Sequence, residues 1–83
     1  MLELIDKARK LFKIHHLSTD WKIVEKVELD QLINSLSMIC PFSVSEKQGL
    51  LEAKTLIERN LLINQIISFY IVNNYTHYNK LVH

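Results

Sequence analysis

The sequence predicts an all-α fold, a small bundle of four to five helices that ends in a long apolar helix. The chain contains one glycine and one proline, too few for a turn-rich β fold. Apolar residues recur at helical spacing in several segments, and two segments begin with a capping box. With 83 residues, 48% of them hydrophobic, the chain can bury one core, so we expect a single helical domain over residues 1–83.

The net charge and the single cysteine limit which classes of function the chain can have. The formal net charge is +1, so the molecule as a whole has no field that would attract nucleic acid or an anionic membrane. Cys40 is the one cysteine, which excludes an intramolecular disulfide and suits a reducing compartment. The segment Met1–Lys7 lacks the pattern of a secretion signal. We therefore expect a cytoplasmic protein.

The first predicted helix covers residues 2–16. Two acid-before-base pairs four residues apart, Glu3–Lys7 and Asp6–Lys10, would each stabilise it by ~0.3 kcal/mol. One face of this helix is predicted to pack on the core. The residues of that face are Leu4, Ala8, Leu11, Phe12 and His15.

A short helix over residues 20–27 is expected next. The segment Leu17–Asp20 interrupts the first pattern and offers three residues that can cap a helix. Trp21, Val24 and Val27 then recur at intervals of three. We expect Trp21 to pack over helix ends rather than to stack on a ligand.

Residues 28–40 give the clearest helical pattern. Pro41 ends this helix, because the residue before a proline is driven out of the α region. Cys40 joins the apolar stripe, so it is predicted to be a core thiol rather than a nucleophile, which would need a positioned base. The stripe consists of Leu29, Leu32, Ile33, Leu36, Ile39 and Cys40.

Two capping boxes begin the last two helices. Ser43–Glu46 begins a helix that runs to about Ala53. Gly49 lies inside it and should cost roughly 1 kcal/mol relative to alanine unless close packing requires it. Thr55–Glu58 begins the longest helix, predicted over residues 56–74. The pattern assigns no structure to the residues that follow.

The longest helix is unusual because residues 60–79 contain no Asp, Glu, Lys or Arg. Its apolar residues surround the helix, but Asn64, Gln65 and Ser68 interrupt a run too short to span a membrane. Such a helix should be buried on more than one side, and a chain this small would leave apolar surface uncovered. We therefore predict a homodimer or higher oligomer. The residues predicted to form its contact are Leu62, Ile63, Ile66, Ile67, Phe69, Tyr70 and Ile71.

Three segments, Leu17–Trp21, Leu32–Phe42 and Glu46–Ala53, share their residue pattern with one known family. They resemble the helical end of the N-terminal, substrate-binding domain of Lon-type proteases. The first is similar to a Leu-Ser-Ala-Asp-Trp segment of stand-alone alphaproteobacterial Lon-domain proteins. The third is the most family-like, although Gly49 stands where alanine is more usual. The last helix begins with residues that also resemble the family, namely Leu56, Glu58, Arg59 and Leu62.

This resemblance implies a non-catalytic function. In the family the helices follow a β-rich half-domain, and full Lon adds an ATPase module and a Ser–Lys protease module. We expect all three to be absent here, so no proteolytic activity carries over. The resemblance implies only the helical half of a module that recognises unfolded or tagged polypeptides. The partner it implies is a polypeptide or a β-rich domain.

Three residues are candidates for peptide recognition. Phe42 could form part of a peptide groove, and Lys47 and Gln48 could form a recognition patch beside Glu46. The sequence favours a structural interpretation for each of them. Phe42 would anchor the loop after Pro41 in the core, while Lys47 and Gln48 would be solvated or would hold the neighbouring helix.

Two other functions remain open. The chain could be a structural or remnant helical oligomer with no ligand. It could also bind nucleic acid through the basic first helix, although Glu3 and Asp6 dilute that charge and aromatic residues for base stacking are missing. Nucleic acid is therefore the less favoured partner. The basic residues are Lys7, Arg9, Lys10 and Lys13.

No motif predicts catalytic, cofactor-binding or metal-binding residues. His15 and His16 are adjacent, so on a helix they point in directions about 100° apart and cannot easily share a metal ion. No histidine pair has the spacing of a zinc-binding helix. An enzyme is the least favoured class.

Overall fold

Five α-helices make up the part of the chain that the computed structural model describes, which is the backbone of residues 2–82 and the side chains of residues 3–73. No strand occurs in this part, and the predicted all-α class is confirmed. In chain order the helices are α1 Leu2–Ile14, α2 Trp21–Val24, α3 Leu29–Ile39, α4 Val44–Glu52 and α5 Leu56–Val82.

The core is organised around α5, because the three most extensive contacts between helices join it to α1, α3 and α4. Helices α1 and α5 run side by side in the same direction. Glu3 and Lys7 line a groove with Leu61, Gln65 and Phe69, and Lys10 lines another with Ile71. The buried residues are Leu4, Ile5, Ala8, Leu11, Phe12, Leu32, Ile33, Leu36, Cys40, Phe42, Leu50, Ile63, Ile66 and Ile67.

Helix α1 ends at Ile14, two residues before the predicted end. His16 has φ 57°, in the left-handed region that terminates a helix. The Leu17 amide donates to the Phe12 carbonyl at 2.8 Å, and the His16 amide donates to the Lys13 carbonyl at 3.4 Å. These two bonds form a Schellman motif, here with histidine at the position that glycine usually occupies.

The short helix α2 covers Trp21–Val24, half the length predicted, and Asp20 caps it by accepting from the Lys22 amide at 3.0 Å. The Trp21 and Phe12 ring centroids lie 5.2 Å apart, so Trp21 packs over α1 as predicted. The Arg9 guanidinium lies 5.3 Å from the Trp21 ring centroid and pairs with Glu25 at 2.6 Å. Cation–π and ionic contacts thus fasten α2 to α1.

Helices α3 and α4 follow the sequence prediction closely. The stripe of α3 is buried at Leu32, Ile33 and Leu36, although Ile39 is half exposed. The capping box of α4 is confirmed, since the Glu46 amide donates to Ser43 Oγ at 3.1 Å and the Ser43 amide donates to Glu46 Oε1 at 2.7 Å.

The capping box predicted for α5 is only half formed. The Glu58 amide donates to Thr55 Oγ1 at 3.1 Å, as in a capping box. However, the Glu58 carboxylate accepts from the Lys54 amide at 3.1 Å rather than from Thr55. The Glu58 carboxylate thus accepts from the residue before the N-cap, and this hydrogen bond fixes the turn between α4 and α5.

Helix α5 is longer than predicted, because it continues past residue 74 to Val82. The side chains of the segment 75–83, which the sequence left unassigned, lie outside the described residues. The prediction that α5 is buried on more than one side stays a prediction, because it includes burial against a second copy of the chain. One face is buried, whereas the opposite face, with Leu61, Phe69 and Val72, is exposed.

Part of the predicted partner contact is wrong, because three of its residues are buried within the chain itself. Ile63, Ile66 and Ile67 are core residues of the chain itself, so they are not available to a second molecule in this fold. Leu62, Tyr70 and Ile71 pack against that core, partly buried. Phe69 is 60% exposed, and it alone of the seven predicted residues offers most of its side chain to a partner.

Gly49 provides a test of packing between α4 and α5. A Cβ atom at this position would lie 3.6 Å from Leu62 Cδ2, an ordinary van der Waals contact. We expect Gly49→Ala to raise the free energy of unfolding by about 1 kcal/mol, because alanine loses less backbone entropy in a helix. Urea denaturation measures this change.

Gln48→Ala, at the exposed neighbouring position, is the control and should change the free energy of unfolding by less than about 0.5 kcal/mol. A destabilised Gly49→Ala protein would mean that α4 approaches α5 more closely than described.

Candidate functional site

An open groove of about 490 Å³ lies between α3, α4 and the first turns of α5. Its floor is apolar, because Ile33 and Leu50 are buried core residues. Its edges are apolar too, since Met38 is 81% exposed and Leu51 is 72% exposed. The lining residues are Ile33, Asn34, Ser37, Met38, Lys47, Leu50, Leu51 and Arg59.

The groove carries positive charge. Lys47 and Arg59 line it, and no lining residue is an aspartate or a glutamate. Within residues 3–73 neither cation forms an ion pair, whereas Lys7 and Arg9 on α1 do. Arg59 Nε donates to the Ala53 carbonyl at 3.2 Å, which anchors the side chain and occupies one of its five N–H donors. The groove is therefore suited to an anionic ligand with apolar groups.

Glu46 fixes the position of α4, and with it the position of Lys47. Its carboxylate closes the capping box of α4 and also accepts a hydrogen bond from the Tyr70 hydroxyl on α5. Burial tends to raise the pKa of Glu46, but the hydrogen bonds from Tyr70 and Ser43 outweigh it and the pKa is lowered. The same carboxylate raises the pKa of Tyr70. One ionised side chain thus joins the N-terminus of α4 to the middle of α5.

The three predicted recognition residues have different positions. Phe42 is buried and stacks on Tyr70 with ring centroids 5.7 Å apart, which confirms the interpretation of Phe42 as a core anchor. Gln48 is exposed and donates to Glu52 Oε1 at 3.1 Å along the same helix. Lys47 alone of the three lines the groove.

Sequence reasoning did not select the other groove residues as candidates for binding. Met38 falls outside the apolar stripe of α3, and Leu51 lies on the outer side of α4, so each has the pattern of an ordinary surface residue. Arg59 follows a capping box and reads as a helix-surface charge. The one local signal was a large apolar residue, Met38, on α3 outside the apolar stripe of that helix.

Cys40 directly follows the last residue of α3. It is buried in the core, as predicted. Burial raises the pKa of its thiol to about 11, and the nearby Lys47 ammonium offsets only part of the rise. The thiol is therefore protonated near neutral pH, which does not favour nucleophilic chemistry. Among the described residues, no three His, Cys, Asp or Glu side chains are grouped so that they could hold a metal ion.

The basic residues of α1 are divided between different contacts. Lys7 pairs with Glu3 at 3.3 Å, and Arg9 pairs with Glu25 and covers Trp21. Lys10 and Lys13 flank an apolar depression that includes Ile71. Two of the four cations are thus paired with carboxylates, whereas Lys10 and Lys13 form no ion pair within residues 3–73.

In comparison with known proteins, the chain matches no family model, no curated protein and no solved structure. In the described part of the chain, no helix has both the length and the hydropathy that a membrane crossing requires.

The contact between Glu46 and Tyr70 predicts how stability depends on pH. Because the pKa of Glu46 is lower in the folded protein than its ordinary 4.5, the ionised carboxylate stabilises the fold above that pH. This stabilisation is lost as the pH falls through the lower, folded pKa. We expect Tyr70→Phe to lower the free energy of unfolding at neutral pH, and to lower it less near pH ~3. Denaturation at both pH values measures the difference.

Glu52→Gln is the control, since it neutralises a carboxylate on the same helix outside this contact. If the loss caused by Tyr70→Phe is equal at both pH values, the hydroxyl does not stabilise an ionised Glu46.

Proposed function

We propose that this chain is a non-catalytic polypeptide-binding module whose groove between α3, α4 and α5 takes an acidic amphipathic segment. The observation that supports this proposal is that Lys47 and Arg59 line the same groove as exposed apolar side chains. None of the lining residues carries a carboxylate.

Apolar contact would supply most of the affinity. Met38 and Leu51 are the most exposed large apolar residues of the groove, so a ligand that covers them removes apolar surface from water. A flexible methionine side chain adapts to partners of different shape. An amphipathic helix seated in a groove is a common form of such recognition.

Charge would supply selectivity. Acidic residues beside the apolar face of the ligand would meet Lys47 and Arg59, whereas basic residues there would be repelled. Lys47 and Arg59 form no ion pair within residues 3–73, so they are well placed to bind a partner's carboxylate.

The resemblance of residues 46–53 to the helical half of a Lon substrate-binding domain supports the same function, because this segment contains Lys47, Leu50 and Leu51. We propose that the relationship is genuine and that a polypeptide or a β-rich domain is the natural partner. The chain contains a single cysteine, which is buried, and we also propose a cytoplasmic location.

Two synthetic amphipathic peptides test this function. Both have leucines at helical spacing, and the flanking positions carry glutamate in one and lysine in the other. We expect the acidic peptide to bind and to shift the amide resonances of residues 47–51 and 59, and the basic peptide not to bind. Lys47→Glu should weaken binding of the acidic peptide about tenfold, because it reverses one charge of the groove.

Lys54→Glu is the matched control, since it makes the same change in net charge at an exposed position outside the groove. Equal loss of binding in the two variants would indicate non-specific attraction and would contradict the proposal. So would equal binding of both peptides, or binding of neither.

A further inference from the structure

The exposed face of α5 forms a second surface, distinct from the groove. We name it the outer stripe. Three of its residues are large and apolar, and each is more than half exposed, with Leu61 at 59%, Phe69 at 60% and Val72 at 63%. It lies opposite the buried face of the same helix. Its members are Leu61, Gln65, Ser68, Phe69 and Val72.

Charge is arranged unevenly beside this stripe. The stripe itself contains no charged residue. Glu3 and Lys7, which form an ion pair, lie beside it on α1. Lys10 and Lys13 lie with Val72 at its C-terminal end, and within residues 3–73 neither forms an ion pair. Among the described residues, one end of the surface therefore pairs a carboxylate with a lysine, while the other end carries two lysines.

We propose that the outer stripe binds the same stripe of a second copy, with the two α5 helices antiparallel and related by a two-fold axis. An uncharged stripe can face its own copy without like charges meeting at the centre. Antiparallel packing brings Glu3 of each chain towards Lys10 and Lys13 of the other, whereas parallel packing would place the lysines of both chains at the same end of the interface.

Within the described side chains the stripe runs from Leu61 to Val72, about 17 Å along the helix. Phe69 is its largest apolar residue. We expect a reversible dimer in which Phe69 is the main apolar anchor. This inference goes beyond the proposed function and does not depend on it, because Arg59 and the groove lie on another side of α5.

Sedimentation equilibrium of the full chain, from low micromolar to millimolar concentration, tests the dimer. We expect a concentration-dependent shift from monomer to dimer and no larger species. Phe69→Glu should raise the dissociation constant about 30-fold or more. Val44→Glu replaces an apolar residue that is 85% exposed outside the stripe and should leave the dissociation constant unchanged.

Gln65→Lys provides a second variant that keeps a polar, exposed side chain, and so does not threaten folding. It places two lysines near the two-fold axis and should weaken the dimer as well. A chain that stays monomeric throughout the range overturns the proposal. So does a dimer that Val44→Glu weakens as much as Phe69→Glu does.

Chemical cross-linking tests the orientation. Leu61→Cys and Val72→Cys each place a thiol at one end of the stripe, while Cys40 is buried. In an antiparallel dimer a short bis-maleimide joins the two variants when they are mixed, but joins neither to itself. Self-linking of either variant overturns the antiparallel arrangement.

A membrane surface is another candidate occupant of the stripe, since apolar residues beside lysines also suit it. Vesicles with and without anionic phospholipid test for this occupant. Co-sedimentation of the protein with anionic vesicles, lost in Phe69→Glu and accompanied by no dimer in solution, assigns the stripe to lipid and overturns the proposal.

Discussion

The buried face of α5 is the constraint on which the rest of the molecule depends. Ile63 and Ile67 are fully buried, and α1, α3 and α4 all make their most extensive helix–helix contacts with α5. A small domain has room for one core, so the helix that fills its centre fixes what remains at the surface. Here it leaves two features with different character, a cationic groove beside α4 and an uncharged apolar stripe on the far side of α5.

The groove depends on polar contacts as well as on packing. Glu46 caps α4 and accepts from Tyr70, while Arg59 donates to the carbonyl at the end of the same helix. Both ends of α4 are thus bound to α5 by hydrogen bonds. Lys47 and Leu51, one turn apart between these two attachments, are held at the groove on a rigid element, which is the arrangement that selective binding requires.

The sequence predicted the features that local chemistry determines. The capping box at Ser43 and the helix end at Pro41 depend on residues within a few positions, so pattern alone located them. The end of α1 was missed because His16 adopts a left-handed conformation more usual for glycine.

The faces of α5 were missed for another reason. Apolar residues surround this helix, so only tertiary packing decides that Ile67 is buried and Phe69 exposed. Residue patterns could not predict the groove either, because Met38 and Arg59 come together from separate helices.

Amide hydrogen exchange of the native protein tests most directly whether α5 is the centre of the fold. The slowest amides should be those of residues 63–67, exchanging only through global unfolding, with the free energy measured by denaturant. Amides of α2 should exchange faster, because this short helix has no buried residue. If residues 63–67 instead exchange through local opening, at a free energy well below that of global unfolding, α5 does not hold the structure together. The groove and the outer stripe would then have no fixed support.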